Sequence, residues 1–186
     1  MRIEFTAYAD DCTIRGTVLL DGDRLTDLLT DAGDFDVEGA NLQALEDGRV
    51  VEMPTATIHR SDLCAVTATG PRGNSQRRLR TRQRPMRAKV GPYTIVGYLH
   101  APPSADPVVT ALRKRIIPLT NASIEYETLG RRLEERHDAI LLVREKVEWL
   151  EAASDEEVGL VRNLDLKRAV DAHAKDLTGA IVGNGW

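Results

Sequence analysis

Ile140-Leu141-Leu142-Val143-Arg144-Glu145-Lys146-Val147-Glu148-Trp149-Leu150 admits two readings. On propensity alone, residues 131–153 form one long charged helix. Taken by residue type, two apolar runs flank a charged tight turn and form two strands. The choice follows from an earlier part of the chain. The matching segment of the first half contains Pro54, Thr55 and Thr57 and is a poor helix former. Residues 131–153 are therefore read as strands.

The match between the halves rests on stretches about eighty residues apart. Thr13-Ile14-Arg15-Gly16 and Thr94-Ile95-Val96-Gly97 each open a short apolar run. Phe35-Asp36-Val37-Glu38-Gly39-Ala40-Asn41-Leu42 follows the first, and Ile117-Pro118-Leu119-Thr120-Asn121-Ala122-Ser123-Ile124 follows the second. Asp23 and Asp106 align as helix N-caps, Leu25, Leu28 and Leu29 align with Val108, Ala111 and Leu112, and Pro107 takes the first helical position. Gly48-Arg49 aligns with Gly130-Arg131, Ile58 with Ile140, Cys12 with Tyr93 and Cys64 with Val147.

The remaining elements follow from local signals. Residues 3–8 alternate as a strand, Asp10-Asp11 turns, and residues 12–20 form a strand rich in β-branched residues. Phe35 to Leu45, Val50 to His59 and Leu63 to Thr69 are further strands, with Asp47-Gly48 as a hairpin turn. Pro54 argues that the second of these is an edge strand or is bulged there. Ser154 caps a terminal helical segment with a negative first turn, Asp155-Glu156-Glu157, and residues 164–177 carry an apolar stripe ending before Gly179.

The fold class expected is mainly β (α+β). Two homologous small β-barrel-like repeats, each with a short inserted helix, pack as an internal pseudo-dimer, and a C-terminal helix covers one end. The divisions are 1–70 (first repeat), 71–87 (Arg-rich connector), 88–152 (second repeat) and 153–186 (helical tail). A single unit of about 60 residues buries little core and leaves strand edges open. Pairing two units remedies both faults, and the connector is expected to add an edge strand.

The strand-G-x-strand pattern, the Ala101-Pro102-Pro103-Ser104 loop, the Ile117–Ile124 strand and the closing apolar hairpin resemble an uncharacterised bacterial domain found singly or in tandem. The strand order also resembles the Sm-like small barrels, although the helices here fall between the first and second long strands. The resemblance spans about residues 12–151. It implies a small β domain with no assigned activity, and it supplies no catalytic residues.

Bulk composition sets further bounds. A hydrophobic fraction of 42% and a charged fraction of 29% are those of a globular protein. Aromatics supply only 4%, so the core is expected from Val, Ile, Leu and Ala. No apolar run reaches the roughly 18 residues that span a bilayer, and Met1-Arg2-Ile3-Glu4 does not open a signal peptide, so a cytoplasmic protein is expected. Cys12 and Cys64 are too few for a disulfide framework and read as buried apolar residues. Twenty arginines against five lysines point to a GC-rich bacterial genome.

The net charge of −4 is unevenly spread. Arg72, Arg77, Arg78, Arg80, Arg82, Arg84, Arg87 and Lys89 lie in a stretch without a single acid, which leaves 17 basic against 29 acidic residues elsewhere, or −12. In an extended chain Arg78, Arg80, Arg82 and Arg84 project to one side, a row suited to phosphate. Full engagement of all eight gives a log–log salt slope of about −7 on duplex and about −6 on single strands. The plainer reading is a solvated connector balanced by Asp31, Asp34, Asp36, Glu46 and Asp47. It is preferred because base-stacking aromatics are absent from the stretch.

No catalytic motif, metal site or cofactor fingerprint is found. His137-Asp138 and Asp171-x-His173-x-x-Asp176 lack the further ligands of a zinc site, and His59, His100, His137 and His173 are read as surface or turn residues. Asp21-Gly22-Asp23 opens like a calcium loop but lacks the later acids. The expected function is thus non-enzymatic binding of a protein partner through sheet edges or the acidic face. Nucleic-acid binding through Arg77, Arg78, Arg80, Arg82, Arg84, Arg87 and Lys89 is the alternative. No membrane partner is expected, and open strand edges admit a homo-oligomer.

Overall fold

The computed structural model describes residues 1–20, 24–67, 69 and 81–159. Ten strands form one antiparallel sheet in the order β10-β6-β7-β8-β9-β5-β1-β2-β3-β4. In chain order they are β1 (Arg2–Ala9), β2 (Cys12–Leu19), β3 (Asp34–Ala44), β4 (Val50–His59), β5 (Leu63–Thr67), β6 (Arg82–Val90), β7 (Tyr93–Ala101), β8 (Ile116–Thr128), β9 (Arg131–Val143) and β10 (Val147–Ala152). Helices α1 (Leu25–Asp31) and α2 (Pro107–Leu112) follow β2 and β7. The ambiguous segment is strand, a 3-10 turn over Arg144–Lys146, then strand again.

The fold is mainly β, but no barrel closes. The sheet is open, ending at β10 on one side and at β4 on the other. Closing the first unit requires β4 to meet β5, and β9 takes that place through Ala65↔Leu142, Val66↔Leu141 and Thr67↔Ile140. Pro54 therefore lies on an edge strand, as its missing N–H requires. The described part of the connector is no edge: residues 82–87 begin β6, which sits between β10 and β7, and residues 71–80 lie outside the described residues.

The ladders of the two halves run in parallel registers. Phe5 pairs with Gly16, and Met86 with Gly97. Each glycine lies where the next ladder slips, between Arg15 and Thr17 and between Val96 and Tyr98. The partner strands then carry a positive φ at Gly39 and Asn121, +58° and +46°. Asparagine tolerates that left-handed conformation better than most residues. The β1–β5 and β10–β6 ladders also slip at matching places. These registers correct two alignments: Ile140, opposite Leu119, stands where Ala56 does opposite Val37, and Val147, opposite Val90, stands where Leu63 does opposite Ala9.

Each half has a core, and each core borrows from the other half. Phe5, Ile14, Val18, Leu29, Phe35 and Val37 build the first, joined by Ile116, Leu141 and Val143 from the second half. Met86, Ile95, Leu99, Leu119, Ile124 and Ile140 build the second, joined by Tyr8, Leu45 and Ala65 from the first half. The alternation of β9 sends Leu141 to one core and its neighbours Ile140 and Leu142 to the other. Aromatics are scarce yet central. Tyr8, Tyr93 and Phe5 are among the largest fully buried side chains, so Val, Ile, Leu and Ala do not fill the interior alone.

Helix α2 is capped as its sequence prescribes: Asp106 accepts from the Val109 N–H at 2.9 Å and Pro107 follows. For α1 the cap position is Arg24, whose side chain makes no capping bond, while Asp23 lies outside the described residues. Ser154 and Glu157 exchange bonds at 3.1 and 2.8 Å, a capping box for the turn at 155–159. The stripe at 164–177, His173 and the rest of the tail lie outside the described residues.

Candidate functional site

Strand alternation divides the arginine stretch. Arg82 and Arg84 share the face of Met86 and Ala88 but lie past the core, exposed. Arg87 and Lys89 lie on the opposite face. Arg87 reaches Glu157 at 2.9 Å, one turn beyond β10. Arg72, Arg77, Arg78 and Arg80 lie outside the described residues.

A polar cluster lies where the halves meet. Glu135 and His137, two apart on β9, share a face by alternation. The fully buried Tyr8 of β1 donates its hydroxyl proton to Glu135 Oε2 at 3.0 Å. A hydroxyl has one proton, so the 3.0 Å bond between Tyr8 Oη and His137 Nε2 requires His137 to donate from Nε2. Tyr126 donates to the other oxygen of Glu135, and the Arg15 guanidinium lies 3.9 Å away. Tyr8, Tyr93 and Tyr126 pack edge to face with centroids 5.4 to 5.9 Å apart. Tyr93 caps the Ala9 carbonyl at 2.6 Å.

This environment holds the Glu135 carboxyl down at about 2. The neighbouring His137 contributes most, and the Tyr126 and Tyr8 hydroxyls and Arg15 add to it against the opposing effect of burial. Burial and the same carboxylate push the Tyr8 and Tyr126 phenols well above their usual range. A general base works best with a pKa near the operating pH. Here the carboxylate is too weak a base, the phenols are too weak as acids, and each satisfies the other. The arrangement locks the junction.

Sequence alone does not reveal this cluster. Its one local signal is the Glu135-x-His137 spacing; the partners Tyr8 and Arg15 come from the other half. His137 is consequently a half-buried member of a network rather than a surface residue. His100 bonds Thr120 at 2.8 Å and burial pushes its pKa below the ordinary value. Among the histidines of the described residues, His59 alone fits the turn reading, joining Ser61 at 2.5 Å and Asp34 at 3.4 Å.

A second cluster sits beside it. The Cys64 thiol donates to Asp10 Oδ1 at 3.1 Å, and Lys146 bonds the other oxygen of Asp10. An open cleft of about 450 Å³ lies alongside, lined by Asp10, Asp11, Cys12, Ile58, Asp62 and Lys146. Burial and then Asp10 push the Cys64 thiol up to about 12, and burial and then Asp11 push Cys12 up to about 11. Only the thiolate is nucleophilic. Both cysteines are therefore expected to react with a disulfide reagent at pH 8 at least about tenfold slower in the folded chain than in urea. Equal rates in the two conditions count against this assignment.

Among the described residues no three His, Cys, Asp or Glu side chains group as metal ligands, and no helix is long and apolar enough to cross a membrane. The fold and its clusters define an open-sheet protein with a polar cluster at its centre and, among the described residues, two edges without a partner strand. No family model, curated protein or solved structure matches the chain.

Proposed function

We propose that this chain is a non-enzymatic binding or scaffold protein, built from two homologous copies of one strand-rich unit, that engages a protein partner through its open sheet edges. The observation that carries this reading is the pair of outer strands that have no partner strand among the described residues and hold apolar side chains in solvent. Val50, Val51 and Met53 are exposed on β4, and Trp149 on β10. Unpaired edges are templates for a further strand, and backbone ladders with side-chain pockets are a recurring mode of peptide recognition. Descent of both units from one ancestor is supported by the matching ladder slips at Gly16 and Gly97 and the matching positive φ at Gly39 and Asn121. The mutually satisfied tyrosines and Glu135 speak for a structural role of the polar cluster where the halves meet.

Selection of extended peptides from a displayed random library tests the reading. Enriched peptides are expected to bind the Trp149→Glu variant about tenfold more weakly, a difference of about 1.4 kcal/mol. Strong hydrolytic or transferase activity of the purified protein would overturn the reading. Nucleic-acid contact is the second reading, favoured by the exposure of Arg82 and Arg84 on one face. Fluorescence anisotropy with RNA and DNA at two salt concentrations separates the two. Lack of affinity at low salt, or affinity unchanged when Arg78, Arg80, Arg82 and Arg84 become Ser, removes it.

A further inference from the structure

The junction between the halves is a ladder of unlike edges. The last strand of the first unit, β5, meets the fourth strand of the second, β9. Among the described residues the same two strand types remain unpaired at the ends of the sheet: β10 stands to β6 as β5 stands to β1, and β4 stands to β3 as β9 stands to β8. The internal junction is thus a worked example of how one free edge fits the other. We infer that a second copy of this chain seats its β10 edge against β4 and repeats the β5–β9 ladder.

The register follows from the ladders already described. Trp149 corresponds to Ala65, Leu150 to Val66 and Glu151 to Thr67. Ala56, Thr57 and Ile58 correspond to Ile140, Leu141 and Leu142. Between copies, Trp149 therefore faces Ile58, Leu150 faces Thr57, and Glu151 faces Ala56. Glu148 then lies opposite His59, an acid against a base.

Burial supports the same pairing. Ala65 is fully buried because it packs into the core of the neighbouring unit, whereas Trp149, at the corresponding place, is 41% exposed. A docked β4 would bring Ile58 and Ala56, members of the first core, against that indole. Leu150 already packs on its own core, as Val66 does. Pro54 falls outside the docking stretch of residues 56–58, so its missing N–H does not interrupt the ladder. Because the joined edges differ, the contact is head to tail, and it gives a ring where the rotation closes and an open fibre where it does not.

This inference rests on the proposed reading that the edges are the binding surface, narrowed to one occupant. Sedimentation velocity of the full chain over a concentration series is expected to give multiples of 20.6 kDa. Trp149→Glu is expected to sediment as single chains with an unchanged far-ultraviolet spectrum. Cysteines placed singly at the paired positions Thr57 and Leu150 should oxidise to a two-chain species only when the two variants are mixed. Directly opposed Cα atoms lie about 4.5–5.5 Å apart, within disulfide reach. Single chains at every concentration overturn the inference, as do multimers that persist in Trp149→Glu and fail to cross-link. In either event the displayed-peptide selection decides separately whether the edges bind another protein.

Discussion

Replacing Glu135 by Leu is expected to lower the unfolding free energy by about 2–4 kcal/mol, read as a fall in Tm of roughly 6–12 °C. The carboxylate accepts from Tyr8 and Tyr126, with His137 and Arg15 beside it. Leucine takes the recorded acceptor from the buried Tyr126 hydroxyl and leaves Tyr8 only His137 Nε2, which must change tautomer to accept; an orphaned buried donor costs about 1–3 kcal/mol. The Glu135 side chain is 26% exposed, so water offsets part of the loss and the range stays modest. The acid limb gives an independent reading. A carboxyl held at about 2 stabilises the fold above its ordinary value of 4.5, and that stability is lost as pH falls from 4.5 towards 2. The shift corresponds to at most about 3 kcal/mol. Glu135→Gln keeps one acceptor, loses less than Leu, and removes this acid slope. A variant with wild-type Tm and wild-type acid slope would show that the cluster does not hold the junction.

The second large effect is expected at Gly97. A Cβ there would stand 2.8 Å from Ala122 Cβ, 3.1 Å from Ala122 Cα and 3.2 Å from Leu119 Cβ. None of these atoms can swing away, because all belong to or adjoin the β8 backbone. Gly97→Ala therefore forces β7 and β8 apart at the bulge, at a cost of about 2–3 kcal/mol. Gly16→Ala repeats the conflict in the first half, where the added atom meets Val37 Cγ1 at 2.5 Å and the Glu38 carbonyl oxygen at 2.8 Å. Gly33→Ala meets nothing within 4 Å and serves as the neutral control. Denaturant unfolding of the three variants reads the ranking. A Gly97→Ala midpoint equal to that of Gly33→Ala would remove the steric account.

Local chemistry made most strands legible before any coordinates. The β-branched runs, Asp47-Gly48 and the Asp106-Pro107 cap act over a few residues, and each produced the element its side chains favour. Pro54 carried information from one half to the other: a poor helix former in the segment laid against residues 131–153 argues for strand there, and β9 and β10 are strands. Closure was not legible. Whether β4 turns back to β5 or leaves that place to β9 is a competition between distant strands, and local residues do not record it. The polar lock was hidden for the same reason. Tyr8 and Glu135 are 127 residues apart, and only the β5–β9 ladder brings them into contact. The split of the arginine stretch, by contrast, was legible, because the alternation that puts Arg82 and Arg84 on one side puts Arg87 on the other.

The exchange of side chains between the cores bears on how the molecule comes apart. With Leu141 and Val143 in the first core and Tyr8 and Leu45 in the second, neither half can melt while the other keeps its packing. Two units of sequence thus behave as one cooperative block. A destabilising change at a core position of residues 1–67 is expected to loosen the strands that follow the connector as well.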